Sequence, residues 1–202
     1  MSTAEYWDER YSAGSYFYGT KPNVFLTRLD RYLPDGGRVL EIACGEGRNA
    51  VYFAARGYQV TGVDFSAEAL RKARGLALKK RSHPELIEAD LLTFRPVLRY
   101  DAAVTAFLHG PPDSRRRYYA LLREAVRSGG WVLGEWFRPE QRTAGYRSGG
   151  PPQPEAMVTA DELREAFAGW KIDVLEETEY KLREGRGHKG LGAVVRLAAC
   201  KP

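Results

Sequence analysis

Three carboxylates mark the ends of three apolar stretches of the chain. Glu41, Asp64 and Asp90 each lie at or near the carboxyl end of such a stretch. Short apolar runs bounded by turn residues are typical of buried strands in a parallel sheet. Because the carboxyl ends of parallel strands meet at one edge of a sheet, we expect the three carboxylates to face one ligand site. Such a site would attract a cation and accept hydrogen bonds from hydroxyl or amino groups.

The turn after the first of these stretches is rich in glycine. It reads GEGRNA over residues 45–50, and a helical pattern follows it. Glycines between a strand and a helix let a nucleotide approach the backbone closely, and Asp64, about 20 residues further on, can accept hydrogen bonds from ribose hydroxyls. The turn therefore predicts a nucleoside site, although the glycine pattern alone fits a dinucleotide as well.

Glu41 distinguishes between nucleoside cofactors by charge. A dinucleotide would bring two phosphate charges beside its carboxylate, a repulsion of several kcal/mol where solvent is scarce. S-adenosylmethionine brings an ammonium and a sulfonium, which a carboxylate attracts. Glu41 and Asp64 together therefore favour S-adenosylmethionine. Asp90 and Leu91 are suitably placed to receive the amino group and the ring of its adenine.

Two imidazoles are candidates for proton transfer. His109 follows the fourth predicted strand, where the loop should approach the transferred methyl group. His188 lies in a glycine-rich connection that could reach over the cleft. Methyl transfer from a sulfonium needs a general base only if the acceptor must lose a proton. His109 could instead cap a turn, and His83 lies far from every ligand motif.

Aromatic side chains are dense in the first 34 residues, which we interpret as a cap or lid. Tyr18 and Lys21 lie in its loop, and the Tyr18 phenol could approach a sulfonium, since aromatic faces and oxygens favour positive charge. Both residues could instead only pack the cap. Glu135, after the fifth predicted strand, could position a substrate or support its own loop. Cys44 is interpreted as a small residue that fills the turn, because methyl transfer needs no covalent enzyme intermediate.

The order of the predicted elements indicates an α/β fold. The predicted strands are residues 38–43, 59–64, 85–90, 100–107 and 130–136, and the predicted helices are residues 5–11, 23–33, 49–56, 66–80, 114–127 and 159–169. Strands separated by helices predict a doubly wound, mostly parallel sheet with right-handed crossovers. Residues 172–182 and 191–200 have no helix between them and must pair as an antiparallel hairpin. Ser66 and Thr159 are predicted to cap the helices that they begin.

The composition is that of an ordinary globular domain. With 202 residues, 44% of them hydrophobic, the chain has the size of one domain, which we divide into a cap over residues 1–34 and a core domain over residues 35–202. The first residues lack a signal-peptide pattern and no apolar run could cross a bilayer, so we expect a cytoplasmic protein without a membrane partner. The cysteines predict neither a disulfide framework nor a metal site. The net charge of +5 is spread along the chain, which argues against a nucleic-acid partner.

The predicted strand ends resemble successive motifs of class I S-adenosylmethionine-dependent methyltransferases. The motifs that carry this resemblance are EIACGEG over residues 41–47, GVDFS over residues 62–66 and EADL over residues 88–91. The residues that resemble a small bacterial branch related to tellurite-resistance methyltransferases are Trp7, Arg10-Tyr11, Tyr18-Gly19, Pro22-Asn23, residues 107–109, residues 135–137 with Gln141, residues 149–151, and Glu184-Gly185 with His188. The resemblance implies a seven-stranded sheet with a reversed last strand and close backbone approach at Gly45 and Gly47. It also implies that Phe65 and Leu91 flank the adenine, and it puts Ala43 at the first small position of the glycine loop.

These observations together predict an enzyme that transfers a methyl group from S-adenosylmethionine to a small-molecule acceptor. The predicted catalytic residues are Tyr18, His109 and His188. The predicted cofactor-binding residues are Glu41, Ala43, Gly45, Gly47, Asn49, Asp64, Phe65, Ser66, Asp90, Leu91, Ala106 and Phe107. An NAD-dependent oxidoreductase and an RNA or protein methyltransferase are the alternatives. The sequence leaves the acceptor and the oligomeric state open.

Overall fold

Seven strands form one mixed sheet in residues 4–202, the part of the chain that the computed structural model describes. The strands are β1 (Arg38–Ile42), β2 (Gln59–Asp64), β3 (Glu85–Glu88), β4 (Tyr100–Ala106), β5 (Val126–Phe137), β6 (Lys171–Glu184) and β7 (His188–Cys200). Their order in the sheet is β3-β2-β1-β4-β5-β7-β6. The order reverses at the neighbouring strands β1 and β4, so a crevice opens beyond their carboxyl ends.

The directions of the strands confirm the predicted architecture. Strands β1 to β5 run parallel to one another, whereas β7 runs antiparallel to both β5 and β6. The central strand β1 brings Glu41 into register with Gly62 of β2 and Val104 of β4. The sheet is thus mostly parallel and ends in an antiparallel hairpin.

Helices cover both faces of this sheet. They are α1 (Ala4–Tyr11), α2 (Arg48–Ala55), α3 (Ala67–Lys80), α4 (Pro112–Ala125), α5 (Glu140–Thr143) and α6 (Ala160–Ala166). Successive residues of a strand point to opposite faces. Accordingly, Leu40 packs in the core that contains Leu122 of α4, whereas Val39 packs in the core that contains Phe53 of α2. A sheet buried on both faces explains why its strands read as apolar runs rather than as an alternating pattern.

Two helix caps were predicted correctly. The Ser66 hydroxyl accepts a hydrogen bond from the Ala69 amide at 3.1 Å and begins α3. The Thr159 hydroxyl accepts one from the Glu162 amide at 3.1 Å and begins α6. Each cap satisfies an amide that the helix itself leaves unpaired.

The helix predicted over residues 23–33 is wrong in type and length. The structure has a short 3-10 helix, Leu26–Arg31, in its place. Asn23 lies before this helix. Its side-chain oxygen accepts a hydrogen bond from the Leu26 amide, while its amide group donates to Glu135 and Glu184 in the interior. Partners that are distant in the sequence therefore fix the start of this segment.

Strand boundaries in β5 and in the C-terminal hairpin also differ from the prediction. Strand β5 begins at Val126, before the Ser-Gly-Gly sequence that was predicted to precede it, because a shift in the β4 and β5 pairing accommodates Gly129 at a φ of 74°. In the C-terminal hairpin, pairing continues to Glu184 and His188, so only residues 185–187 connect the strands. The structure therefore places Glu184 and His188 opposite each other on paired strands.

The N-terminal segment packs on the carboxyl edge of the sheet. Helix α1 contacts α3, and the Trp7 and Tyr11 rings stack at 5.5 Å. Residues 1–3 of the predicted cap lie outside the described residues. Within residues 4–202, no helix combines the length and the apolar character needed to span a membrane.

Candidate active site

A cavity of about 680 Å³ opens at the carboxyl ends of β1, β2 and β4. Its volume lies within the range of small-molecule sites, roughly 300–1,000 Å³. The predicted site residues that line it are Tyr18, Glu41, Ala43, Gly45, Asn49, Asp64, Phe65, Asp90, Leu91, Ala106, Phe107, His109 and His188. The fold thus brings together residues that are far apart in the sequence.

Glu41 is the buried carboxylate of this cavity. Its side chain lines the cavity although the residue is only 1% exposed. The Asn49 amide donates a hydrogen bond to Oε1 at 2.7 Å, but Oε2 has no hydrogen-bond partner among the described residues. Burial raises the pKa of Glu41 to about 8, against the opposing effect of the Asn49 hydrogen bond. A cation beside Oε2 would supply the missing partner and favour the ionised form.

Asp64 ties the glycine turn to the end of β2. Its carboxylate accepts hydrogen bonds from the Gly45 amide at 2.7 Å and from the Ser66 amide at 3.0 Å. Burial raises the pKa of Asp64, while these backbone hydrogen bonds oppose the rise. Each carboxylate oxygen has a second lone pair, so the group that fixes the turn can also accept hydrogen bonds from a ligand.

Gly47 and Ser66 were predicted to contact the cofactor, but neither lines the cavity. Gly47 has a φ of 81°, and a Cβ atom there would lie 2.6 Å from the Ala73 Cβ, so this glycine allows α2 to pack against α3. Ser66 caps α3 and donates its hydroxyl hydrogen to Asp8 at 2.5 Å. In the structure Gly47 serves helix packing and Ser66 serves capping, and their contact with the cofactor stays a prediction.

The rim of the cavity holds the residues predicted to receive the adenine. Strand β3 ends at Glu88, so Asp90 lies in the following loop, where it is exposed and accepts a hydrogen bond from the Leu92 amide at 2.9 Å. Phe65 is half-buried and Leu91 is buried, and both line the cavity. This end offers apolar surface beside one carboxylate that solvent reaches.

Aromatic rings surround the three predicted catalytic residues at the other end of the cavity. The His188 ring lies 4.2 Å from the Phe107 ring and 4.4 Å from the Tyr18 ring, measured between centroids. The His109 ring stacks on Phe137 at 5.7 Å. Burial raises the pKa of Tyr18, so its phenol is neutral near pH 7. This end combines aromatic rings with two imidazoles, the Tyr18 phenol and the nearby guanidinium groups of Arg10 and Arg48.

The two imidazoles differ in which nitrogen is available. The Phe137 amide approaches His109 Nε2 at 3.4 Å, while Nδ1 of the same ring is buried without a partner among residues 4–202. Burial lowers the pKa of His109 to about 3, helped by the nearby His188. For His188, Nδ1 lies 3.1 Å from Glu184 Oε2, and burial lowers its pKa although Glu184 raises it.

Two charged pairs beside the cavity were not predicted as site residues. Arg48, directly after the glycine turn, forms a buried ion pair with Glu184 at 2.9 Å. Glu46 forms a buried ion pair with Lys72 at 2.6 Å. The buried positions of α3 include residues 69, 72, 73 and 76, so a lysine on the apolar face of this helix was the available signal. For Glu46, nothing in the sequence indicated burial.

Glu135 supports the interior and does not line the cavity. It is fully buried, pairs with Arg196 at 2.6 Å and accepts hydrogen bonds from Asn23 and Tyr180. Of the two roles considered for it, the structure favours support. Lys21 is exposed and does not line the cavity. Across residues 4–202, no three His, Cys, Asp or Glu side chains are grouped so that they could hold a metal ion.

Comparisons with known proteins find similarity to methyltransferases. A family model described as a methyltransferase domain matches residues 39–130. Thiopurine S-methyltransferase of Pseudomonas putida (strain W619) is 26% identical over 198 residues, which covers 86% of each chain. That of Pseudomonas entomophila (strain L48) is 29% identical over 164 residues, which covers 73% of each chain.

Solved structures share the fold. TehB from Haemophilus influenzae has a TM-score of 0.72 at 18% identity and covers 98% of this chain and 67% of its own. The N-methyltransferase NodS from Bradyrhizobium japonicum WM9, solved with S-adenosyl-L-homocysteine, has a TM-score of 0.72 at 16% identity over the full length of both chains. The protein thus matches a methyltransferase domain over residues 39–130 and is similar over most of its length to S-adenosylmethionine-dependent methyltransferases.

Proposed function

We propose that the protein transfers the methyl group of S-adenosylmethionine to a small-molecule acceptor by in-line displacement. The observation that carries the proposal is the buried Glu41 carboxylate, whose Oε2 has no hydrogen-bond partner of ordinary geometry among the described residues, although the Ala50 amide and the Arg48 charge act on the same carboxyl group. A ligand ammonium would fill this position. A pyrophosphate there would add charge of the same sign, which disfavours the NAD-dependent alternative.

The cavity has suitable groups for each part of this cofactor. Glu41 would hold the ammonium, and Asp64 would accept hydrogen bonds from the ribose. Phe65, Leu91 and Asp90 would receive the adenine at the rim. When bound, the cofactor supplies an activated methyl group on a sulfonium. The task of the chain is then to bind and orient the acceptor and to exclude water.

The acceptor would bind at the aromatic end of the cavity, where Phe107, Phe137 and Tyr118 contribute apolar surface. Such a lining suits a small aromatic or apolar molecule. The relatives named thiopurine S-methyltransferase make an aromatic thiol the first acceptor class to test. Trp7 and Tyr11 of α1 also line the cavity, so the N-terminal segment covers part of it. A partly covered cavity favours a small acceptor over an RNA or a protein.

Contacts between the N-terminal segment and the glycine turn support the division of the chain into a cap and a core domain. We infer that residues 1–34 act as a cap over the core domain of residues 35–202, because Glu46 accepts hydrogen bonds from the amides of Phe17 and Tyr18. A cytoplasmic location belongs to the proposal as well. It is supported by the two free cysteines, since secreted proteins commonly pair theirs.

The test combines ligand stabilisation with product detection. Thermal unfolding is followed with S-adenosylmethionine, S-adenosylhomocysteine and NADH in turn, because a ligand that binds only the folded state raises the melting temperature. We expect the first two ligands to stabilise the protein. Incubation with thiophenol, aniline, phenol and tellurite, read by mass spectrometry, then identifies the acceptor class. Stabilisation by NADH alone would overturn the proposal.

A further inference from the structure

Glu184 and His188 meet where the C-terminal hairpin reaches the cavity. Glu184 is the last residue of β6, His188 is the first residue of β7, and the two are register partners. Both side chains are buried, and only His188 lines the cavity. The hairpin therefore places a carboxylate directly behind an imidazole.

The charge of Glu184 decides which nitrogen of His188 carries the proton. Burial alone would raise the pKa of Glu184, but the hydrogen bond with His188 and the charge of Arg48 hold it below its usual range. An ionised carboxylate only accepts hydrogen bonds. Because Glu184 Oε2 lies 3.1 Å from His188 Nδ1, this nitrogen must donate, and the neutral ring then has its lone pair on Nε2.

The lone pair of Nε2 is available to a ligand. Nε2 of His188 has no hydrogen-bond partner among the described residues, and the ring forms part of the cavity wall beside Phe107 and Tyr18. The backbone of Gly149 packs against the neighbouring ring carbon, where a Cβ atom would come within 2.5 Å of Cδ2. By contrast, His109 accepts at Nε2 from the Phe137 amide, so its free nitrogen carries a hydrogen.

We propose that Glu184 is a positioning residue that holds His188 with its proton on Nδ1, so that Nε2 takes the proton of a protic methyl acceptor such as a thiol or a phenol. This inference rests on the proposed function. In the step, the acceptor's proton passes to Nε2 while its heteroatom bonds to the methyl carbon. The carbon–sulfur bond breaks and its electron pair stays on sulfur. The products are the methylated acceptor, S-adenosylhomocysteine and an imidazolium that the Glu184 carboxylate stabilises.

The first test reads the position of the proton directly. Nitrogen-15 NMR of the full chain distinguishes the two neutral tautomers of each histidine, and the variants His83→Asn and His109→Asn assign the signals. We expect the Nδ1–H tautomer for His188 at pH 7.5. In Glu184→Gln the new amide can donate to Nδ1, so we expect the Nε2–H tautomer. An Nε2–H tautomer in the unsubstituted protein would overturn the inference, whatever the activity.

The second test separates proton removal from the other functions of the site. Phenylmethanethiol keeps its proton at pH 7, whereas pentafluorothiophenol is already ionised. We expect Glu184→Gln and His188→Asn to lower kcat for phenylmethanethiol by about 100-fold or more, the usual contribution of a general base, and kcat for pentafluorothiophenol far less. Glu176→Gln, a half-exposed substitution on the same strand, is the matched control and should change neither rate.

A purely structural role of Glu184 would lower both rates equally, and that result would overturn the inference. The pH profile adds a further check, since loss of Glu184 should move the acidic limb for phenylmethanethiol to lower pH. The charged or titratable groups near His188 are Glu184, Arg48, Arg10, Tyr18 and His109. Failure of the proposed function would look different, with neither S-adenosylhomocysteine binding nor turnover of either thiol, while the NMR result would still be readable.

Discussion

Lys72 and Glu46 form a buried ion pair beneath the N-terminal segment, with 2.6 Å between Nζ and Oε1. The same ammonium donates hydrogen bonds to the carbonyls of Tyr11, Ala13 and Ser15. Glu46 accepts hydrogen bonds from the amides of residues 17 and 18. One pair of charges therefore holds both halves of the segment that covers the cavity, and it links this segment to the glycine turn.

Replacing Lys72 with methionine should loosen this segment and destabilise the protein. The substitution leaves the Glu46 carboxylate buried without its partner, which typically costs about 3–5 kcal/mol. Urea unfolding measures the loss, and hydrogen exchange should show faster exchange in residues 12–19 than in β1. The matched control is Lys79→Met, at an exposed position of the same helix. If Lys72→Met were as stable as the control, the ion pair would not hold the segment.

Glu41 should make the stability of the ligand-free protein depend on pH. Its pKa is raised from the usual 4.5 to about 8 in the folded chain, so ionisation between these values opposes folding. The free energy of unfolding should therefore fall as the pH rises from 5 to 9, and Glu41→Gln should remove this part of the fall. Urea unfolding at both pH values tests this, with exposed Glu88→Gln as the control. Parallel pH profiles for Glu41→Gln and the unsubstituted protein would contradict it.

Cofactor binding should release a proton from Glu41. Near pH 7 the carboxyl group is largely protonated in the free protein, and a ligand ammonium beside it favours the ionised form. Calorimetric titration with S-adenosylhomocysteine in two buffers of different ionisation enthalpy counts the protons. We expect Glu41→Gln to release about one proton fewer than the unsubstituted protein and to bind more weakly. Equal proton counts would place the ammonium elsewhere.

Gly47→Ala should mainly destabilise the packing of α2 against α3, and should affect the ligand site less. The new Cβ would lie 2.6 Å from Ala73 on α3, and the backbone has a positive φ. We expect a loss of about 2 kcal/mol beyond that of Gly57→Ala, which shares the positive φ but has open space around it. The double variant with Ala73→Gly should recover part of that difference in urea unfolding. Without such recovery, the clash with Ala73 would not be the cause.

The apolar runs predicted the central strands because the strands of a sheet that is covered on both faces are short continuous stretches of apolar residues. The span of β2, residues 59–64, was predicted to the residue, and the Ser66 cap also agreed. Predictions made from neighbouring residues were correct where those neighbours determine the structure. They failed for Asn23, whose partners Glu135 and Glu184 lie 112 and 161 residues away. No short stretch of sequence around Asn23 indicates these partners.

The candidate site was predictable to a similar extent. Glu41, Asp64 and Asp90 could be placed at one edge because parallel strands share a polarity. We predicted that Gly47 and Ser66 contact the ligand. A glycine or a serine in such a turn can serve either packing or ligand binding, and the sequence alone does not distinguish the two roles. The roles of Arg48 and Glu184 depend on the register of the hairpin. A shift of that pairing by one residue would separate Glu184 from His188.

Asn23 joins the beginning of the protein to its last pair of strands, since its amide group donates to Glu184 on β6. During synthesis, β6 leaves the ribosome long after Asn23 does. The contact between Asn23 and Glu184 can therefore form only after most of the chain has been synthesised. Contacts of such long sequence separation slow folding. The cavity is therefore completed late, when the N-terminal segment first meets the C-terminal hairpin.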